Sequence, residues 1–162
     1  MEYICQVDCT KVSGPTDMKS LKNINIAIIE DDKYYAGVLK AHIEKHLVKA
    51  ESNLIYNINV YNSAHDCVTD IKKDIDIVIL DYYLEEQQEQ SSYTGKELLK
   101  IINGFCDDCR VIVVSGQKDQ DVAIELFKIG IYEYIIKDED TLIRLSSTLR
   151  RAIRDKILEH YI

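Results

Sequence analysis

Five polar residues stand directly after aliphatic runs, and their types suggest one chemistry. Glu30 and Asp31 follow "INIAII", Asp81 follows "IDIVIL", Ser115 follows "VIVV" and Lys137 follows "YEYII". A run of aliphatic residues without alternation reads as a strand buried on both faces. Ending such a strand on a carboxylate is costly, because the charge loses hydration there. Three acids brought together repel one another. Either a raised pKa keeps one of them neutral, or a hard cation binds them. Magnesium fits the second answer: it takes oxygen ligands, keeps several waters and combines one or two carboxylates with phosphate oxygens. Lys137 adds a compact positive charge opposite Asp81. A metal and an ammonium flanking one carboxylate form a clamp for a phosphoryl group in transfer, with Asp81 as nucleophile and an aspartyl phosphate as product. Singly, each residue is ordinary. Asp31 or Asp32 could cap a helix, Ser115 could sit in a turn and Lys137 could be a surface charge. What sets them apart is their shared position at strand ends.

Those ends can meet only if the strands run side by side. Five Ile/Val-rich runs cover residues 24–29, 54–61, 75–80, 111–114 and 132–136. Between them apolar residues recur at three- and four-residue steps, as helices require. Examples are Tyr35, Val38, Leu39, Ile43 and Leu47, then Cys67, Val68 and Ile71, then Leu98, Leu99 and Ile102. Val122, Leu126, Phe127 and Ile129 follow the fourth run, and Leu142, Leu145, Leu149, Ile153 and Ile157 the fifth. Alternating strands and helices predict an α/β fold, because parallel strands need crossover connections. With right-handed crossovers, five strands favour a flavodoxin-like, doubly wound parallel sheet of order 2-1-3-4-5 with helices on both faces. Ligands bind such sheets at the carboxyl edge where strand order reverses, here between the first and third strands. Glu30, Asp31 and Asp81 converge there, with Ser115 and Lys137 beside them.

The chain has 162 residues and a net charge of -8. One domain with a usable core is expected. The acidic balance argues against direct nucleic-acid binding. No apolar run is long enough to span a bilayer, and the first residues lack a secretory pattern, so a cytoplasmic protein is expected. Residues 1–22 read as an N-terminal extension and 23–162 as the domain, ending in a long helix. Residues 85–94, "EEQQEQSSYT", form a polar loop longer than usual connections. Five cysteines and no export signal argue against a disulfide framework. Cys5-x-x-x-Cys9 and Cys106-x-x-Cys109 have spacings suited to tetrahedral zinc, and four ordinary thiols are the alternative. His42 and His46 share a helix face. The basic residues Arg144, Arg150, Arg151, Arg154 and Lys156 of the last helix read as a solvated face.

The stretches "IAIIEDD", "IVILDYYL", "VIVVSG" and "YEYIIKD" together resemble the receiver domain of two-component response regulators. The resemblance implies that Asp81 accepts a phosphoryl group from a histidine kinase or phosphotransfer protein. Glu30 and Asp31 match the acidic pair that holds Mg2+, and the backbone carbonyl of Tyr83 matches a third protein ligand. Ser115 matches the hydroxyl that bonds the phosphoryl oxygens, and Lys137 the family's lysine. Tyr134 matches the aromatic switch that turns inward as Ser115 moves, and Gly116 is suitably small beside the site. The implied output is a repacked face of fourth helix, fifth strand and fifth helix. A homodimer through that face or through the last helices is an expected assembly. The implied domain is a signalling phosphoacceptor, not an enzyme beyond its own phosphorylation and hydrolysis. Two departures stand out. Asp138 replaces the proline usual after the lysine, which predicts a trans peptide there and leaves Asp138 or Asp140 to cap the last helix. The loop after Asp81 is also longer. Both leave room for a phosphorylation-independent docking module on the same fold. A nucleotide or flavin enzyme is disfavoured, since no glycine-rich phosphate loop follows the first strand. Tyr83 stands where an aspartate-nucleophile phosphatase wants a second acid.

Overall fold

The computed structural model describes residues 23–47, 54–71, 74–84 and 93–159. The expected N-terminal extension, residues 1–22 with Cys5 and Cys9, and residues 85–92 of the long loop lie outside the described residues. Five strands and five helices alternate along the chain: β1 (Asn23–Ile29), α1 (Lys33–Leu47), β2 (Ile55–Tyr61), α2 (Ala64–Asp70) and β3 (Ile77–Asp81). They continue with α3 (Gly95–Phe105), β4 (Arg110–Ser115), α4 (Gln120–Ile129), β5 (Glu133–Ile136) and α5 (Thr141–Glu159).

All pairings are parallel, and the order is β2-β1-β3-β4-β5, as the alternation predicts. β3 is buried along its whole length, which explains its unbroken aliphatic run. Its side chains feed two cores. Ile77 and Ile79 join Leu39 and Ile43 of α1 and Leu145 and Leu149 of α5. Val78 and Leu80 join Cys67 of α2, Leu98 and Ile102 of α3 and Leu126 of α4. Burying one Leu or Ile side chain is worth about 1.5–3 kcal/mol. Two such clusters can therefore carry the desolvation of a few charges at the sheet's rim.

Element ends differ slightly from the sequence expectation. Asp76, expected inside the third strand, precedes β3, yet it links the neighbouring strands through Asp76 N–H to Asn25 O and Arg110 N–H to Asp76 O, both 2.9 Å. Tyr132 precedes β5, its N–H donating to Val111 O at 2.7 Å. Ile71 lies beyond α2 and closes it, its N–H donating to Cys67 O at 2.7 Å. α3 opens with a capping box between Thr94 and Glu97, a signal the apolar spacing passed over. Gly95 begins that helix pressed against Tyr82. A Cβ at Gly95 would collide with the Tyr82 carbonyl oxygen, so only glycine fits this approach. Asp119 caps α4 by accepting from Asp121 N–H and Val122 N–H at 3.0 and 3.2 Å.

Candidate functional site

The crevice at the carboxyl edge, between β1 and β3, is built from the ends of four strands. β1 and β3 run in register, with Ile29 level with Leu80, so Glu30 and Asp81 arrive side by side. Asp81 is level with Val114 of β4, and Ser115, one residue further, is level with Ile136 of β5. The Lys137 amide donates to Ser115 O at 2.7 Å and fixes where the lysine leaves the sheet.

Glu30, Asp31 and Asp81 each offer a carboxylate oxygen, and these oxygens lie within 4.8 Å of one another. Glu30 and Asp81 are buried, at 2% and 7% exposure, and Asp31 is half-buried. Asp32, not Asp31, caps α1: its Oδ1 accepts from Tyr34 N–H at 2.9 Å and Tyr35 N–H at 3.1 Å. Capping by Asp32 leaves the Asp31 carboxylate to the cluster. Glu30 is held by its backbone, with its N–H on Tyr61 O and its carbonyl accepting from Asn62 Nδ2, both at 3.0 Å. Lys137 Nζ donates to Asp81 Oδ2 at 2.7 Å and to Glu30 Oε2 at 2.8 Å. The sequence placed Lys137 opposite Asp81; its bond to Glu30 was not legible there.

Burial pushes the Glu30 carboxyl up to about 7, and the nearby Asp81 charge adds to this. The Lys137 bond opposes the rise but does not cancel it. Burial also works against the Lys137 charge, yet its bonds to Asp81 and Glu30 outweigh that and hold its pKa above the ordinary lysine value. One ammonium is shared by two buried carboxylates, and a third carboxylate lies adjacent. Both sequence-stated answers therefore meet in this crevice: one acid has a raised pKa, and the donor set is all oxygen, as a hard divalent cation prefers. The three carboxylates could hold such an ion.

The remaining expected residues surround this cluster. Tyr83 N–H donates to Asp81 Oδ1 at 3.1 Å, which turns the loop just after the acid. Ser115 is fully buried, and its hydroxyl accepts from Gln117 N–H at 3.3 Å. Gly116 has open space where a Cβ would stand. Tyr134 is half-buried, and its hydroxyl donates to Gln117 O at 3.0 Å, so it and Ser115 grip the same residue of the β4–α4 loop. No cis peptide occurs among the described residues. Asp138 uses its backbone N–H, which a proline would lack, to donate to Thr141 Oγ1 at 2.7 Å. The Asp138 carboxylate does not cap α5 as expected. It accepts from Asp140 N–H at 2.9 Å and pairs with Arg144. Asp140 serves α5 through its carbonyl, which accepts from Arg144 N–H at 3.0 Å. Thr141, absent from the sequence-derived site, is thus the residue that closes the loop carrying Lys137.

The Cys106–Cys109 pair falls elsewhere. Cys106 and Cys109 flank the α3–β4 turn at the amino edge, where each thiol donates to a backbone carbonyl, Ile75 O and Cys106 O, at 3.3 Å. Burial pushes the Cys109 thiol well up, which disfavours the thiolate a metal needs. Their expected partners Cys5 and Cys9 lie outside the described residues. His42 bonds Ser146 at 2.7 Å across the α1–α5 contact, with the His46 ring 4.3 Å away. On the last helix Arg151 pairs with Glu133 at 2.6 Å, and Lys156 donates to Asp108 O at 2.9 Å. On the faces expected to self-associate, α4 exposes Ile124 and Phe127, and α5 exposes Ile143 and Leu158.

A family model described as the response regulator receiver domain matches residues 26–147. The chain belongs to that family. The receiver is 25% identical over 132 residues to the transcriptional regulatory protein ZraR of Escherichia coli K12, covering 81% of this chain and 26% of ZraR. It therefore spans about a quarter of the length of the curated relatives it matches. Among solved structures, a response regulator receiver domain from Clostridium thermocellum superposes with a TM-score of 0.66 at 25% identity, covering 83% of this chain and 98% of that one. The non-phosphorylated HemR receiver domain of Leptospira biflexa gives a TM-score of 0.66 at 21% identity over 80% and 94% of the two chains, a likeness of fold. No helix among the described residues is long and apolar enough to cross a membrane.

Proposed function

We propose that this receiver domain is a phosphoacceptor in two-component signalling, acting in the cytoplasm. The observation that carries the reading is the Lys137 ammonium, bonded to Asp81 at 2.7 Å inside a three-carboxylate cluster. An Asp81 carboxylate oxygen attacks the phosphorus of a phosphohistidine on a histidine kinase or phosphotransfer protein. The O–P bond forms as the P–N bond breaks, and the imidazole departs. Lys137 follows the charge onto the phosphoryl oxygens. Glu30, Asp31, Asp81 and the Tyr83 carbonyl would hold Mg2+, which supplies charge neutralisation for those oxygens when bound. Beyond its own phosphorylation and hydrolysis the domain catalyses nothing.

The aspartyl phosphate adds charge and strong acceptor oxygens beside Ser115. Ser115 exchanges its Gln117 contact for a phosphoryl oxygen. Tyr134, which holds Gln117 from the other side, then turns inward, and the face of α4, β5 and α5 repacks. A two-state equilibrium is biased in this way.

Incubation with acetyl phosphate and Mg2+ tests the reading. The wild-type chain is expected to gain one acid-stable, base-labile phosphoryl group, and Asp81→Asn none. Labelling of Asp81→Asn at the wild-type level removes Asp81 as the acceptor. A wild-type chain that binds Mg2+ yet takes no label supports the docking-module alternative instead.

A further inference from the structure

Tyr35 has no role in the chemistry described so far, yet its ring lies under the reactive lysine. Lys137 Nζ stands 4.6 Å from the centroid of the Tyr35 ring, within the range where a ring face attracts a cation. The ring is fixed from two sides. Its backbone N–H is held by the Asp32 cap at 3.1 Å, and its apolar body packs on the core cluster between the sheet and the α1/α5 layer. The lysine is not fixed by itself, since its stem has four rotatable bonds and its charge accepts many orientations.

One of the two ionic partners of that ammonium changes during the reaction. Asp81 gives an oxygen to phosphorus, and Glu30, bonded to the ammonium at 2.8 Å, draws it toward the acidic cluster. An ammonium that followed Glu30 alone would leave the phosphoryl oxygens. The ring of Tyr35 is the neighbour that attracts the cation without taking its proton and without being consumed. We infer that Tyr35 is a positioning residue: its ring face keeps the Lys137 ammonium against the phosphoryl oxygens as Asp81 reacts. The inference rests on Asp81 being the acceptor. It requires the ring and not the hydroxyl.

The variants Tyr35→Leu and Tyr35→Phe separate ring face from bulk, with Tyr35→Met in place of the leucine variant where that fails to fold. Labelling by acetyl phosphate is expected to slow about three- to tenfold in Tyr35→Leu and to stay close to wild type in Tyr35→Phe. Placed on Lys137→Ala, Tyr35→Leu adds no further loss, because the ring acts through the ammonium. Magnesium affinity stays with the wild type, which a collapse of the carboxylate cluster would not leave in place. A second measurement needs no phosphorylation: the Lys137 Hε protons carry an upfield ring-current shift that Tyr35→Leu removes and Tyr35→Phe keeps. Wild-type labelling rates in Tyr35→Leu, equal loss in Leu and Phe, or an absent ring-current shift each overturn the inference. A wild type that shows the shift but takes no label places the failure in the acceptor reading, and the positioning role falls with it.

Discussion

At the amino rim of the sheet, Asn25 N–H donates to Asp76 Oδ2 at 2.8 Å, Asn57 donates to Asn25 Oδ1 at 2.9 Å, and Cys106 donates to a carbonyl. At the carboxyl rim, Glu30 and Asp81 crowd together and share one ammonium. Among the described residues the amino rim mostly joins donors to acceptors, though the buried Arg110 Nε has no partner. The carboxyl rim places like beside like. Polar groups that serve only folding settle into complementary partners, because an unsatisfied buried group costs about 1–3 kcal/mol. Like-charged groups forced together store an affinity for something of opposite sign. The difference between the rims therefore singles out the carboxyl edge as the candidate site.

That contrast can be broken in graded ways. Replacing Lys137 with Met removes the charge and keeps the stem; labelling by acetyl phosphate should fall on the order of 100-fold. A change below twofold would mean the carboxyl rim does not work through its ammonium. Asp76→Ala at the opposite rim should do the reverse. It strips the acceptor from Asn25 N–H and the distant charge from Lys156, lowering stability by about 1–2 kcal/mol in urea unfolding while the labelling rate holds. Loss of labelling without loss of stability there would erase the distinction between rims. The third lever is pH. Glu30 has a folded pKa raised to about 7 from an ordinary 4.5. In the metal-free protein its contribution to stability is complete below 4.5 and is lost as pH rises through about 7. Magnesium competes with that proton, so its affinity should rise about tenfold between pH 6 and pH 8. Titration calorimetry at both pH values checks this, and Glu30→Gln should flatten the dependence.

Much of the fold was legible because each strand carries its own instruction. The aliphatic run "IVIL" of "IDIVIL" is best satisfied between two strands and two helical layers, and β3 is there. The site was legible for the same reason: in a parallel sheet, sequence position just after a strand is spatial position at one rim. What escaped were contacts set by side-chain reach. Lys137 bonding Glu30 and Tyr35 beneath Lys137 join residues far apart in sequence, with no spacing to announce them, and Thr141 closing on the Asp138 N–H is a local bond that apolar periodicity does not register. Gly95 escaped too, since one glycine among six does not disclose which backbone it must admit.

That glycine has an architectural consequence. The chain leaves the sheet at Asp81 with the Tyr83 N–H on the acid, and α3 starts at the Thr94–Glu97 capping box with Gly95 against Tyr82. Both ends are held close to Asp81 in space: one at the acid itself and the other against its neighbour Tyr82. Any side chain at Gly95 would press on Tyr82 and, through it, on the backbone whose amide holds the acid.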